Sequence, residues 1–268
     1  MTVPLKLEGA VAVLTGAGSG IGRATAISLA RRGCRIVASD LSFDRAEETA
    51  ALVMGFGGEA VSLAVDVADQ KQLEALRDLA LDHFGRIDVV MNNVGVLAMG
   101  PPESLPLEAW QRVLDLNVLS IARSNLVFLP PLLAQGHGHI VNTSSASGLL
   151  AYGFDRLPYV ASKHAVLGLS EALALYLAPK GIGVTCLCPS GVITNILEQI
   201  TVYGEPSSPR APQHPLVEAD AVSELVADAV SSGSFLVVTA PEIHEELRER
   251  AADPEAYMQR MIGEQIDD

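Results

Sequence analysis

Seven short apolar runs, rich in β-branched residues, recur along the 268 residues with helical patterns between them. They are AVAVLT (10–15), RIVASD (35–40), AVSLAVD (60–66), DVVMNN (88–93), HIVNTSS (139–145), GVTCLCP (183–189) and FLVVT (235–239). Runs this short and continuous, bounded by turn residues, are the pattern of strands buried on both faces. The intervening segments place apolar residues at helical spacing: GRATAISLARRG, DRAEETAALVMGFG, QKQLEALRDLALDHFG, the long 107–135 region, 158–180 and 218–231. Several stop at a glycine (Gly33, Gly85, Gly181), the residue that most readily closes a helix before a strand. Such alternation predicts an α/β fold, a doubly wound parallel sheet of about seven strands with helices on both faces. A ligand is then expected beyond the carboxyl ends of the strands. No internal repeat or second alternation interrupts the pattern. The chain therefore reads as a single domain over 1–268, with an irregular proline-rich stretch at 195–216 and a helical extension at 241–268.

Charge and targeting features narrow the partners. A net charge of −14 disfavours nucleic acid and anionic membrane surfaces. The opening MTVPLKLEGAVAVLTG passes almost directly into a strand pattern, without a basic-then-apolar leader. The most apolar later stretch, VLSIARSNLVFLPPLLA, contains Arg123, Asn125 and two prolines and reads as too polar to span a bilayer. Three cysteines, Cys34, Cys186 and Cys188, form no Cys-x-x-Cys and read as core filler in a reducing, cytoplasmic setting. The six histidines lack metal-ligand spacing, and GHGH (136–139) reads as a loop before a strand, so no catalytic metal is expected.

The first strand runs into VLTGAGSGIGRA, which opens the first helix. Gly16, Gly20 and Gly22 fall where the chain must turn tightly and let a pyrophosphate approach helical N–H groups. A glycine-rich turn alone is a weak signal; a strand before it and a helix after it give it context. Its spacing, Thr-Gly-x-x-x-Gly-x-Gly, resembles that of the short-chain dehydrogenase/reductase family, and the family's other motifs follow in order. The resemblance implies a Rossmann-like domain in which Ser19 and Ile21 join the three glycines at the cofactor. Asp40, with Leu41 beside it, would accept hydrogen bonds from the adenosine ribose and repel a 2′-phosphate. Nothing basic stands next to it in SDLSFD, and Ser19 stands where phosphate-accepting members often have Arg or Lys. NAD is therefore the expected cofactor. From the residues alone, a simple strand-end cap is the lesser reading of Asp40. Asp66 and Val67 of DVAD match the adenine-contacting pair, and Asn93 and Gly95 of NNVG the cofactor wall, with Val94 replacing the usual alanine.

LPYVASKHAV (157–166) places Tyr159 one helical turn before Lys163, on one face. Such a pair arises often by chance, and a free phenol, titrating near pH 10, is a poor acid or base at neutral pH. In the family, a serine precedes this motif and an asparagine lies on an earlier helix. Here NTSSASG supplies Ser145, three residues before Gly148, with Ser144 as the fallback, and LDLNVLS supplies Asn117. The resemblance implies hydride transfer between NAD and a secondary alcohol or ketone, with Tyr159 taking or returning the oxygen-bound proton. Lys163, with the oxidised nicotinamide, would lower the phenol by roughly three units and also hold the nicotinamide ribose. Ser145 would donate to the substrate oxygen, and Asn117 would bend its helix so that a water links Lys163 to solvent. After the sixth strand, Pro189, Val192 and Thr194 of CPSGVIT match Pro-Gly-x-Val-x-Thr, which closes over the nicotinamide carboxamide; Ser190 replaces the glycine.

Beyond residue 194 the resemblance thins. NILEQITVYGEPSSPRAPQHPL (195–216) occupies the place of the family's substrate lid, and Ile196, Leu197, Ile200, Val202 and Tyr203 imply a roomy apolar pocket. LLAYGFDRLP (149–158) would form the opposite wall, with Arg156 read as a surface partner of Asp155 rather than a reader of a substrate carboxylate. The charged C-terminal stretch resembles that of members acting on bulky apolar or aryl-substituted secondary alcohols, lignin-type alcohols included. The expected partner is thus a small hydrophobic alcohol or ketone, in a homodimer or homotetramer joined through the 107–135 and 158–180 helices. Two alternatives stay open: an NADPH-using carbonyl reductase of relaxed specificity, and an NAD-binding sensor without turnover. Sensors typically lose part of the Ser-Tyr-Lys set that this chain retains.

Overall fold

A computed structural model of the chain describes residues 2–194, 198–205 and 213–266. Among them, seven strands form one sheet: β1 (Val11–Leu14), β2 (Arg35–Asp40), β3 (Ala60–Ala64), β4 (Val89–Asn92), β5 (Gly138–Thr143), β6 (Ile182–Cys188) and β7 (Leu236–Val238). Each falls within one residue of the matching apolar run or ends early inside it. The order is β3-β2-β1-β4-β5-β6-β7 and every pairing is parallel. The chain winds outward from β1 to β3, then crosses back to β4 on the other side of β1. That reversal opens a crevice at the carboxyl ends of β1 and β4, where a doubly wound sheet takes its ligand.

Strand periodicity decides which helices cover which face. Ala12 and Leu14 of β1 point to one side, with Ile36, Met91, Val141 and Leu187, and meet helices α1 (Gly20–Arg31) and α7 (Ala219–Ser232). Val11 and Val13 point to the other, with Val37, Val90 and Ile140, and meet α3 (Gln70–Phe84) and α5 (Ser120–Gln135). Fully buried side chains such as Leu29, Leu73, Leu76, Phe128 and Leu132 fill these layers, each burial contributing about 1.5–3 kcal/mol before entropy is counted. Helix α2 (Phe43–Gly55) covers the β2–β3 edge, its start capped by Ser42 Oγ accepting from Arg45 N.

The region 107–135 is not one regular helix. α4 (Leu107–Leu114) passes through a π-helical turn, Asp115–Leu119, into α5, and Asn117 sits at the centre of that turn. Pro130 and Pro131 lie inside α5 rather than breaking it. The reading of this stretch as too polar to span a bilayer needs correction. By length and composition, Leu107–Gln135 would suffice, with a mean hydropathy of 1.3 in its most apolar window. A core helix passes the same test, and Val127, Phe128 and Leu132 are buried against the sheet and α3.

Helix α6 (Leu157–Leu177) carries Tyr159 and Lys163. Two short parallel ladders lie outside the main sheet: Leu97–Met99 with Ile200–Val202, and Val192–Ile193 with Val217–Glu218. They pin both described ends of the proline-rich stretch. Tyr203 packs with Trp110 and Leu157 around Ala98 and Leu105, while Ile196 and Leu197 lie outside the described residues. The C-terminal stretch forms α8 (Ile243–Ala252) and α9 (Pro254–Ile266). Their Ile243, Tyr257 and Met261 join Ala146, Leu149, Leu150, Cys186 and Cys188 in a third apolar cluster.

Candidate active site

The turn after β1 is shaped by what cannot fit in it. A Cβ on Gly22 would stand 2.1 Å from the Gly16 carbonyl oxygen, so only glycine lets the first turn of α1 close onto the loop. Gly20 adopts φ +51°, and a Cβ there would stand 3.0 Å from the Thr194 Cβ, which shows how closely the loop after β6 covers this turn. Ser19 is the residue before α1, yet its side chain makes no capping bond, and the first turn holds no acidic residue. The backbone N–H groups here, Ile21 among them, retain the positive end of the helix dipole for an anion. These features fit the diphosphate of a dinucleotide.

Asp40 ends β2 and binds both ways. Its Oδ2 accepts from Gly18 N at 3.0 Å and its Oδ1 from Ser42 N at 3.1 Å. It is therefore a strand-end cap that also ties the glycine turn to β2, and each carboxylate oxygen keeps a further lone pair for a ribose hydroxyl. Leu41 beside it is 75% exposed. The sequence shows nothing basic next to Asp40, but the first turn of α2 brings Arg45 up to it: a Cβ on Gly18 would meet both the Asp40 carboxylate and Arg45 Cβ. The Arg45 guanidinium is paired with Glu198 at 2.7 Å. Asp66 stabilises the turn after β3 by accepting from Ala68 N at 2.9 Å, and Val67 is buried in the sheet cluster.

From β4 inward, the polar groups connect. Asn93 donates its N–H to Thr15 Oγ1 at 3.3 Å and its amide to the Gly16 carbonyl at 3.2 Å. Val94 is accommodated, its Cγ2 lying 3.2 Å from where a Gly16 Cβ would be. A Cβ on Gly95 would stand 3.2 Å from Lys163 Nζ and 3.7 Å from Asn117 Oδ1, so this glycine makes room for the ammonium. The Asn117 amide accepts from Val96 N at 2.8 Å and donates to Val96 O and Ser162 Oγ, both at 3.0 Å. The π turn thus aims Asn117 at the strand end instead of along its own helix.

Lys163 is buried and donates to the Thr143 carbonyl at 2.8 Å. Burial brings its ammonium down to about 8. Its Nζ lies 5.6 Å from the centroid of the Tyr159 ring. Burial pushes the Tyr159 phenol above its ordinary value; the Ser145 hydroxyl beside it and the nearby Arg156 charge pull it down. The lowering expected of Lys163 belongs to the state with oxidised nicotinamide bound. In the protein by itself the lowering comes from Ser145 and Arg156, and burial outweighs both. Arg156 keeps its expected partner, Asp155, at 2.8 Å. The adjacent serines divide their work: Ser145 reaches Tyr159, whereas Ser144 donates to the Lys163 carbonyl at 2.7 Å and anchors α6.

At the far edge, the Pro189 carbonyl accepts from Ala146 N at 2.8 Å, and Val192 lies in the short ladder with Val217. Ser190, where the family has glycine, turns its hydroxyl to Thr239 Oγ1 at 2.8 Å, and its N–H donates to the same atom. Its side chain is therefore engaged at the end of β7. The site thus brings Asn117, Ser145, Tyr159 and Lys163 together at the ends of β4 and β5. Thr143 and Ser162 also belong to it and were not singled out from the sequence. The available signal was their position, two residues before Ser145 and one before Lys163.

Comparison with known proteins gives the same picture. The family model for short chain dehydrogenase matches residues 10–202. A cyclohexanol dehydrogenase of Acinetobacter sp. (strain SE19) is 36% identical over 196 residues, which cover 72% of this chain and 77% of that protein. A 1-deoxy-11-beta-hydroxypentalenate dehydrogenase of Streptomyces exfoliatus is 34% identical over 253 residues, covering 93% of this chain and 90% of that one. A short chain dehydrogenase/reductase from Burkholderia phymatum, solved in complex with NAD, superposes with a TM-score of 0.84 at 32% identity, over 94% of this chain and 96% of that one. With the glycine turn, the all-parallel sheet and this breadth of similarity in place, the chain belongs to the short-chain dehydrogenase/reductase family of NAD(P)-binding oxidoreductases.

Proposed function

We propose that the protein is an NAD-dependent alcohol dehydrogenase/ketone reductase that acts on hydrophobic secondary alcohols. The observation that carries this reading is a buried Lys163, bonded to the Thr143 carbonyl with its Nζ 5.6 Å from the Tyr159 ring and Ser145 beside the phenol, at the strand ends that also hold the uncapped start of α1. The nicotinamide, when bound, supplies the hydride acceptor or donor. In oxidation Tyr159 takes the hydroxyl proton as the carbinol carbon loses its hydride and becomes a ketone carbon. Ser145 donates to the substrate oxygen and holds it within reach of the phenol. Lys163 adds positive charge beneath the ring, favouring the phenolate when further charge enters the site. Asn117 keeps the Gly95–Val96 backbone in place next to that ammonium.

NAD over NADP rests on Asp40, whose carboxylate would face a 2′-phosphate with like charge. Arg45 favours the second reading, an NADPH-using carbonyl reductase of relaxed specificity, since it lies beside Asp40; its pairing with Glu198 keeps NAD the first choice. The hydrophobic substrate is supported by similarity to a cyclohexanol dehydrogenase. Leu126, Leu175 and Tyr176, exposed on α5 and α6, support a homodimer or homotetramer through those helices. A cytoplasmic location completes the proposal.

The test is NADH formation over a panel of alicyclic, aryl and steroid-like secondary alcohols, with Tyr159→Phe alongside. Turnover lost in the variant while NAD binding persists supports the reading. Binding of NAD by the wild type with no turnover in either direction favours the sensor instead.

A further inference from the structure

Helix α8 grips the segment between Ser145 and Tyr159 at two points. The Tyr152 hydroxyl donates to Glu246 Oε2 at 2.9 Å. Arg250, four residues further on and hence on the same helix face, donates to the Leu149 carbonyl at 2.5 Å. A third segment meets the same carboxylate. His214 Nε2 lies 3.2 Å from the Tyr152 hydroxyl and 3.4 Å from Glu246 Oε1, with its ring edge-on to Tyr152 at 5.5 Å.

The hydrogen-bond inventory fixes the roles. Tyr152 has one O–H and gives it to Glu246, so its oxygen can only accept from His214, and Nε2 carries the proton. His214 is 7% and Glu246 23% exposed, so the carboxylate meets two donors in a partly dry setting. Burial, with Glu246, pushes the Tyr152 phenol well above its ordinary value; it stays a neutral donor and is no second acid–base group. Below, α8 is seated by Ile243, and α9 by Tyr257 and Met261, on the cluster containing Ala146, Leu149 and Leu150. Apolar packing alone would seat these helices. A half-buried carboxylate that serves two other segments does something packing does not: it sets their relative position.

We infer that Glu246 is a positioning residue for the substrate side of the site, acting through Tyr152 and His214, with Arg250 fixing the other end of the same loop. The α8–α9 extension is thereby a specificity element that sets the wall met by bulky alcohols. This rests on the alcohol-dehydrogenase reading.

Two readouts on the full chain test it, using Glu246→Ala and Glu246→Gln. The first is hydrogen exchange of peptides spanning 149–157 and 213–218. Glu246→Ala speeds exchange in both by about 10-fold, and Glu246→Gln, which keeps an acceptor for Tyr152, restores most of the protection. Unchanged exchange in Glu246→Ala overturns the inference. The second is steady-state oxidation of cyclohexanol and 2-propanol with NAD. Glu246→Ala raises KM for cyclohexanol by about 5–10-fold, with kcat and the 2-propanol KM held within about 2-fold. An unchanged cyclohexanol KM, or equal losses on both alcohols together with weakened NAD binding, overturns it. If the wild type oxidises no alcohol, the functional reading falls, and the exchange experiment alone upholds or overturns the anchoring by Glu246.

Discussion

Lys163 donates its ammonium proton to the backbone carbonyl of Thr143 at 2.8 Å. Through that residue it reaches much further, because the Thr143 hydroxyl donates to Asn93 Oδ1 at 3.1 Å and the Asn93 amide donates to the Gly16 carbonyl at 3.2 Å. A single line of hydrogen bonds thus joins α6 to the glycine turn after β1. The side chains that would hold the two ends of a dinucleotide are set by one shared network, and displacing a middle member is felt at both ends.

Gly95→Ala tests the crowded end of that line, at the ammonium. The added methyl would stand 3.2 Å from Lys163 Nζ, so the ammonium must shift by a few tenths of an ångström. We expect kcat/KM to fall about 10-fold or more, with NAD binding weakened less. Steady-state kinetics beside calorimetric NAD titration distinguish the two effects. Equal kcat/KM for variant and wild type would remove Gly95 from the site.

Arg156→Gln removes a charge that pulls the Tyr159 phenol down. The phenol then titrates higher, and the rise of alcohol-oxidation kcat/KM with pH moves to higher pH. The reductive direction, which needs the protonated phenol, keeps its rate to higher pH. Rate profiles of both directions check this, and an unmoved oxidation limb would show that Arg156 acts on Asp155 alone.

Lys163→Met trades function for stability. Burial lowers the folded-state value of Lys163 to about 8 from 10.5, so below pH 8 the fold carries a desolvated charge at full penalty. Between about 8 and 10.5 the unfolded chain binds more protons, and wild-type stability from this group rises with pH. Replacing it should stabilise the protein at pH 7 by about 2 kcal/mol, less the lost bond to Thr143, and flatten the pH dependence in that window, while abolishing turnover. Urea melts at pH 7 and 10 provide the comparison; a less stable variant at pH 7 would contradict it.

Gly22→Ala should separate fold from cofactor. Its Cβ would lie 2.1 Å from the Gly16 carbonyl, so the turn must open. We expect stability lower by about 1–3 kcal/mol and NAD binding lost by calorimetry, with the far-ultraviolet spectrum intact. Retained affinity would mean that the turn does not bind the diphosphate.

The seven strands and their parallel arrangement, though not their order, were legible because buried strands leave continuous β-branched runs, and local composition records that. Candidate site residues such as Gly16, Asp40, Asn93 and Ser145 stood out because they lie at or just after strand ends, whereas Asn117, Tyr159 and Lys163 lie on helices and stood out only through the family motif. What stayed hidden came from contacts without local pattern. Asn117 marked a bend in its helix, but the form of that bend, a π turn at Asp115–Leu119, depends on backbone ring size, which side-chain spacing does not encode. The ladders Leu97–Met99 with Ile200–Val202 and Val192–Ile193 with Val217–Glu218 are too short to show a period. The rise of the Tyr159 phenol by burial, and the pull of Arg156 on it, come from the folded environment, which Tyr-x-x-x-Lys spacing does not record.

Those two short ladders have an evolutionary consequence. They clip the chain on either side of the proline-rich stretch, one to the strand that follows Gly95 and the other to the strand that follows Ser190. Sequence between the clips can lengthen, shorten or change polarity with little entropic effect on the anchored ends. Changes between the clips are thereby uncoupled from the parallel sheet and from the residues at its strand ends.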